Sequence, residues 1–353
     1  MKALTVAPGK ANSLDLEDRP EPQAGGGLAL VQALALGVCG TDREIIAGDY
    51  GEAPKGEARL VIGHESLGRV LQAPEGSGLA QGDHVVGIVR RPDPVPCPAC
   101  AGGEWDMCRN GLYTERGIKQ ADGYGAERFL LEPAFAIRVD AGLGLAAVLL
   151  EPTSVVAKAW EHVDRIGART RTWRPRTALV TGAGPVGLLA ALIATQKGLD
   201  THVFDHNRDG SKPGLVRALG ATFHGADRAP IEAVKPDVVI ECTGADPVVM
   251  DVITGGATDA IICLAGVSSG GRTVDFDVGG FNRRTVLRND VVFGTVNANR
   301  AHYEAAAEAL GRADRAWLER LISRRVSLER WREAFEEREG DVKVIIDFQA
   351  RDA

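Results

Sequence analysis

An apolar strand, a glycine-rich turn and a helix in direct succession constrain this chain more than any other feature. In Thr181-Gly182-Ala183-Gly184-Pro185-Val186-Gly187 the glycines follow a strand at 178–180 and open an Ala- and Leu-rich helix at 186–197. Gly182 permits a tight turn, Gly184 lets backbone approach a pyrophosphate, and Gly187 allows close helix packing. The helix start at Pro185 and Val186 offers free N–H groups and a positive dipole end to an anion. Eighteen residues beyond Gly187, Asp205 ends the next strand, where a carboxylate accepts hydrogen bonds from an adenosine ribose and repels a 2′-phosphate. This makes NAD the first expectation. Arg208 and Lys212 follow within one loop and could pair with that phosphate, so NADP is a second possibility.

The surroundings extend the pattern. From 154 to 297 predicted strands and helices alternate, which reads as a doubly wound parallel α/β sheet; Thr243, Ala265 and Val267 at strand ends are expected to line its cofactor cleft. Residues 1–153 read instead as short strands broken by Gly and Pro, a barrel-like all-β pattern, and the tail 298–353 is expected to pack back on it. A length of 353 residues with 44% hydrophobic content suffices for two cores. The formal charge of −7 provides no basic face for nucleic acid or anionic membrane. The amino terminus lacks a charged n-region followed by an apolar h-region, and the apolar stretch 183–194 is too short to span a bilayer. A cytoplasmic protein is expected, and the Arg-rich segment 165–176 reads as a solvated loop.

Six cysteines supply the chemistry. Cys39, in Gly37-Val38-Cys39-Gly40-Thr41-Asp42, is followed by Gly63-His64-Glu65 and Leu150-Glu151-Pro152. One thiolate, one imidazole and two carboxylates form a donor set for a catalytic zinc with a position open to substrate. Glu65 is either a ligand or a carboxylate that orients His64. Glu151 either alternates with water in the fourth position or starts a helix. Cys97, Cys100 and Cys108 lie close together, which suits metal or reduced thiols better than a disulfide framework.

Over nearly its whole length the chain resembles the zinc-dependent medium-chain dehydrogenases, through Cys39-Gly40-Thr41-Asp42, Gly63-His64-Glu65, Gly82-Asp83-His84-Val85 and the glycine fingerprint. Within them it is most similar to the microbial glucose dehydrogenases, through Arg90-Arg91-Pro92, 113–118, Asp122-Gly123-Tyr124, Leu150-Glu151-Pro152 and Gly294-Thr295-Val296-Asn297. The resemblance implies a GroES-like β-barrel catalytic domain, a Rossmann domain, and a homodimer or homotetramer that oxidises C1 of a pyranose to a lactone. It also implies that Glu115 and Asn297 offer hydrogen-bonding groups to the sugar or the nicotinamide, beside Thr41 and Glu151. Cys97, Cys100 and Cys108 resemble three members of a four-cysteine structural zinc lobe, with Asp93 the nearby carboxylate for the missing fourth. Thr41 is placed to pass a proton from the alkoxide to the cofactor ribose. Where alcohol dehydrogenases carry a histidine five residues after the zinc cysteine, this chain has Glu44, so the relay exits through Asp42 or Glu44. Val89 and Val155 stand where the family often has polar side chains, which leaves another aldopyranose or a polyol open. A non-catalytic nucleotide sensor would have no use for Cys39, His64 and Glu151.

Overall fold

The computed structural model describes residues 1–268, 270 and 273–350. They form two compact units, one made of Met1–Ser154 with the chain from Asn297 onward, the other of Val155–Val296.

The first unit is built on strand Ala29–Val38, whose ten residues are nearly all buried. It pairs antiparallel with Glu65–Gln72 on one side and with Lys343–Asp347 and Arg128–Leu131 on the other. The sheet continues through His84–Gly87 to Ala136–Val139, and through Lys343–Asp347 to a parallel partner, Ile322–Ser327. Leu36, Val70, Val85, Phe129, Trp331 and Ile346 fill its core. The strand Ile322–Ser327 was not foreseen; helical residues stop at Leu321 and the chain turns directly into the sheet.

The second unit holds six parallel strands in the order Thr222–His224, Asp200–Phe204, Thr177–Thr181, Val238–Glu241, Ile261–Leu264, Val291–Gly294. This is the doubly wound order whose switch point lies beside Thr177–Thr181. Its central strands are buried on both faces, as continuous runs such as Val238-Val239-Ile240 require. The helix Val278–Arg288, absent from the sequence reading, begins at Asp277, whose side chain caps Gly280 N.

Helix Leu150–Gly167 starts four residues earlier than predicted, which puts Glu151 in its first turn and shortens the Arg-rich loop. Together with the preceding 3-10 segment it makes a run, Ala141–Gly167, long and apolar enough to cross a membrane. The sequence reading missed that run. It is broken by non-helical Gly144, and 72% of its apolar window is buried inside the protein, as in a core helix.

Candidate active site

Strand Ala29–Val38 delivers Cys39 to the N-cap of helix Gly40–Ala47. Asp42, three residues on, turns back to accept Cys39 N at 3.0 Å with Oδ2. Its Oδ1 stands 3.4 Å from His64 Nδ1, an ion-pair distance too loose for a hydrogen bond in this arrangement. His64 Nε2 lies 3.1 Å from Cys39 Sγ. One ring nitrogen therefore faces the thiol and the other a carboxylate, the orientation that metal-bound histidines adopt. Burial pushes the His64 pKa down, but the charges of Cys39 and Asp42 overcome it and raise it well above 6.5.

Glu65 is in register with Gly37, and its carboxylate occupies the space a side chain there would fill: a Cβ on Gly37 would sit 2.0 Å from Oε2. The ligand atoms of Cys39, His64 and Glu65 all lie within 4.8 Å of one another. Both Glu65 oxygens also receive Lys343 Nζ, at 2.7 and 2.6 Å, and this ammonium donates to Val38 O as well. Burial drives the Lys343 pKa down, but Glu65 and then Cys39 raise it above its ordinary value, so it remains a cation. Lys343 was absent from the sequence reading. No spacing announces it, since strand pairing alone brings it beside Val38. Burial, with Glu65 and Asp42 nearby, pushes the Glu151 carboxyl up to about 7 against the pull of His64 and Lys343. Four acidic groups thus share a buried pocket with one lysine and one imidazole, and the donor set fits a zinc ion.

Asp42, a candidate relay exit, is 1% exposed and accepts Cys39 N, whereas Glu44, the other candidate, is exposed. Thr41 is half-buried in the first turn of the same helix. Glu115 is buried and accepts three bonds on Oε1, from Arg90 Nε at 3.1 Å, Arg90 Nη2 at 2.9 Å and Asn297 Nδ2 at 2.8 Å. Arg90 lies 3.7 Å over the Tyr113 ring. Asn297 holds a left-handed backbone, φ 60°. Val89 belongs to the barrel core, and its amide donates to Tyr303 Oη at 3.3 Å. Val155 is half-buried in helix Leu150–Gly167.

In the cysteine lobe the sulfurs of Cys97, Cys100 and Cys108 lie within 4.8 Å of one another. Backbone N–H groups, that of Arg109 first, lower the Cys97 pKa to about 6, while burial pushes Cys100 up to about 11. Asp93 is buried; Oδ1 accepts Val95 N at 2.8 Å, and Oδ2 has no partner among the described residues.

In the second unit Gly182 is left-handed, φ 91°, and Gly184 caps helix Pro185–Gln196, with Val186 in its first turn. A Cβ on Gly187 would lie 1.8 Å from Gly182 O. Asp205 is buried and already engaged: Oδ2 accepts Ala183 N at 2.8 Å and Lys212 Nζ at 3.2 Å, and Oδ1 accepts Asn207 N at 2.9 Å. Burial raises its pKa, but the amides of Asn207 and Ala183, with Lys212, outweigh that and hold it below 3.8. Arg208 is exposed and pairs with Asp227 at 3.1 Å. Val267 is exposed, and Ala265 N donates to Glu241 O. The sequence reading overlooked the Glu241 side chain, which is fully buried and accepts from Thr181 Oγ1, Thr243 N and Gly244 N. It fastens the glycine turn to the neighbouring strand end. Cys263 is buried, and burial raises its pKa to about 12; half-buried Cys242 is also raised well above 9.0, first by burial.

A GroES-like barrel unit with a Cys-His-carboxylate cluster, and a Rossmann unit with an intact glycine turn, define a zinc-dependent medium-chain dehydrogenase. Residues 25–141 match the alcohol dehydrogenase GroES-like domain, and residues 144–348 match the glucose dehydrogenase C-terminus. The chain is 41% identical to glucose 1-dehydrogenase of Methanocella arvoryzae, over 99% of this chain and 100% of that one. It is 38% identical to that of Thermoproteus tenax, over the same shares. The structure of Haloferax mediterranei glucose dehydrogenase in complex with NADP, Zn and gluconolactone superposes with a TM-score of 0.91 at 31% identity, covering 99% of this chain and 100% of the other. The chain belongs to the glucose dehydrogenase family.

Proposed function

We propose that this protein oxidises an aldopyranose, D-glucose first, at C1: hydride passes from C1 to NAD(P)+, the C1 hydroxyl loses its proton, and the lactone is released. The observation that carries this reading is a Cys39-His64 cluster in the same unit as a part-buried Glu115–Asn297 pair, in a chain similar to glucose 1-dehydrogenases from end to end. A zinc ion at that cluster supplies a Lewis acid that lowers the pKa of a bound hydroxyl.

Cys39 and His64 are the fixed donors in this reading. Glu65 already carries Lys343, so Glu151 is the more exchangeable carboxylate. Thr41 accepts and passes the proton, with Glu44 rather than Asp42 as its outlet. Glu115 and Asn297 hold sugar hydroxyls. Gly182, Gly184, Pro185, Val186 and Gly187 take the pyrophosphate; Thr243, Ala265 and Val267 complete the nicotinamide side. Asp205 accepts the ribose of NAD, and Lys212, with Arg208, admits the phosphate of NADP. The cysteine lobe takes a second zinc, for which the spare oxygen of Asp93 is the candidate fourth donor.

The catalytic domain comprises 1–153 with 298–353, the cofactor domain 154–297, and the protein acts in the cytoplasm. A homodimer or homotetramer is favoured by the edge strand Val291–Gly294, which among the described residues pairs on one side only, and by helix Val278–Arg288, which exposes Val278, Val286 and Leu287.

NAD(P)H formation across a panel of aldoses, polyols and simple alcohols tests the activity, with glucose expected to give the highest kcat/KM. C39S or H64A should lower kcat by orders of magnitude while NADPH still binds. Sorbitol or a simple alcohol outperforming every aldose, or full turnover by metal-free enzyme, overturns the reading.

A further inference from the structure

The geometry points to Asp106 as a positioning residue that ties the cysteine lobe to the Glu115 carboxylate. Asp106 is buried in the single turn Trp105–Met107, two residues ahead of Cys108. Two arms leave it. Its main-chain carbonyl accepts Arg90 Nη1 at 3.1 Å, and Arg90 reaches Glu115 Oε1 through Nε and Nη2. Its Oδ1 accepts Asn299 Nδ2 at 2.9 Å. Asn299 caps helix Arg300–Gly311, and two residues before it Asn297 donates to the same Glu115 oxygen.

The circuit closes on itself: Asp106, Arg90, Glu115, Asn297, the turn to Asn299, and Asp106 again. All three donors to Glu115 Oε1 trace back to one lobe residue, and Oε2 is the oxygen left to meet a ligand. A carboxylate held this way keeps its direction only while the lobe turn holds its own. Anything that loosens the turn about Cys108 therefore reorients the group that reads the sugar, without touching the metal cluster or the nucleotide. A lobe serving stability alone would shift melting and leave sugar affinity unchanged. The inference rests on Glu115 as a sugar contact.

The test compares E115Q, N299D, D106A and the swap D106N/N299D in full-length, zinc-loaded enzyme. N299D keeps the oxygen that caps the helix, accepting from Ala301 N and His302 N, but sets a carboxylate against Asp106. It should raise the KM for glucose about tenfold while kcat changes less than about threefold, a loss of uniform binding. NADPH affinity, read by fluorescence, should not move. The swap restores a donor–acceptor pair with reversed polarity and should recover most of the loss. If N299D does not fold, D106A, which removes the acceptor without adding charge, should give the same KM-only defect.

If E115Q raises KM while N299D and D106A leave it within about twofold, or the swap recovers nothing although NADPH binds normally, the positioning role is wrong and the sugar reading survives. If E115Q itself leaves KM unchanged, Glu115 is not a sugar contact and both fall.

Discussion

Replacing Lys343 with methionine removes the single ammonium from the buried metal pocket and leaves Glu65 without its partner. The two charges sit 2.6 Å apart, at 1% and 3% side-chain exposure. With an effective dielectric of about 20, their attraction is about 6 kcal/mol before the desolvation of both ions is set against it. Because desolvation cancels much of that gain, the intact pair is worth little against an apolar pair of equal volume, but deleting one member costs about 3–5 kcal/mol. K343M should therefore lower the opening free energy of the amides in Lys343–Asp347, read by hydrogen exchange in metal-stripped protein, by about that amount. K343M/E65Q should recover most of it, since no bare carboxylate remains. Zinc should also soften the single-variant loss by giving Glu65 another cation. A K343M loss below about 1 kcal/mol, or a double variant no better than the single, refutes the argument that Glu65 depends on Lys343 as its buried partner.

Three further outcomes follow. G187A would drive a Cβ to 1.8 Å from Gly182 O, so NADPH affinity should fall at least about tenfold with zinc content unchanged; normal binding would show that the turn can shift. K212A should lower kcat/KM with NADP well beyond any change with NAD, and D205N should move the ratio towards NADP, because the carboxylate repels the 2′-phosphate that the lysine attracts; parallel changes for both cofactors would place the phosphate elsewhere. Burial, then the neighbouring His202 at 2.8 Å, holds His224 below 6.5, so in the window beneath 6.5 the unfolded chain binds more protons than the folded one. The stability contributed by the neutral ring is complete above 6.5 and lost as pH falls through that window. Protection of the Thr222–His224 amides, taken relative to the intrinsic exchange rate, should fall from about pH 7.5 to about pH 5.5, and H224Q should flatten the change.

Local signals were legible in the sequence because their cause is local. The glycine turn needs a left-handed Gly182 and a bare Gly187 within six residues, and strand and helix propensity on either side fix its context. Cys39, His64 and Glu65 announced themselves by residue type. What the sequence concealed depends on pairing between distant segments. Arg90 appeared as part of a motif, but its grip on Glu115 follows from the antiparallel register of Arg90–Arg91 with Thr114–Arg116. Asp42 and Glu44 are equal proton outlets by sequence, and only the fold separates them, burying Asp42 against Cys39 N and leaving Glu44 exposed. The place of Asp205 at a strand end marks it as a ribose acceptor, but the three donors that hold it come from the fold.

Lys343 shows the physical reason for that divide. Its neighbours in sequence give no hint of a metal pocket, and its apolar surroundings would suggest a misplaced charge. The antiparallel register Val344↔Val38 carries it beside Val38, 278 residues away from Glu65 in sequence, where its Nζ meets that carboxylate. Packing a carboxylate there requires the bare backbone of Gly37, and burying it calls for a partner, which Lys343 supplies from the opposite end of the chain. The donor residues thus come from the first half of the chain, while the charge balance that lets them coexist in a buried pocket comes from the last strand. Pairing Lys343–Asp347 with Ala29–Val38 is the step that makes the anionic pocket tolerable before any metal arrives.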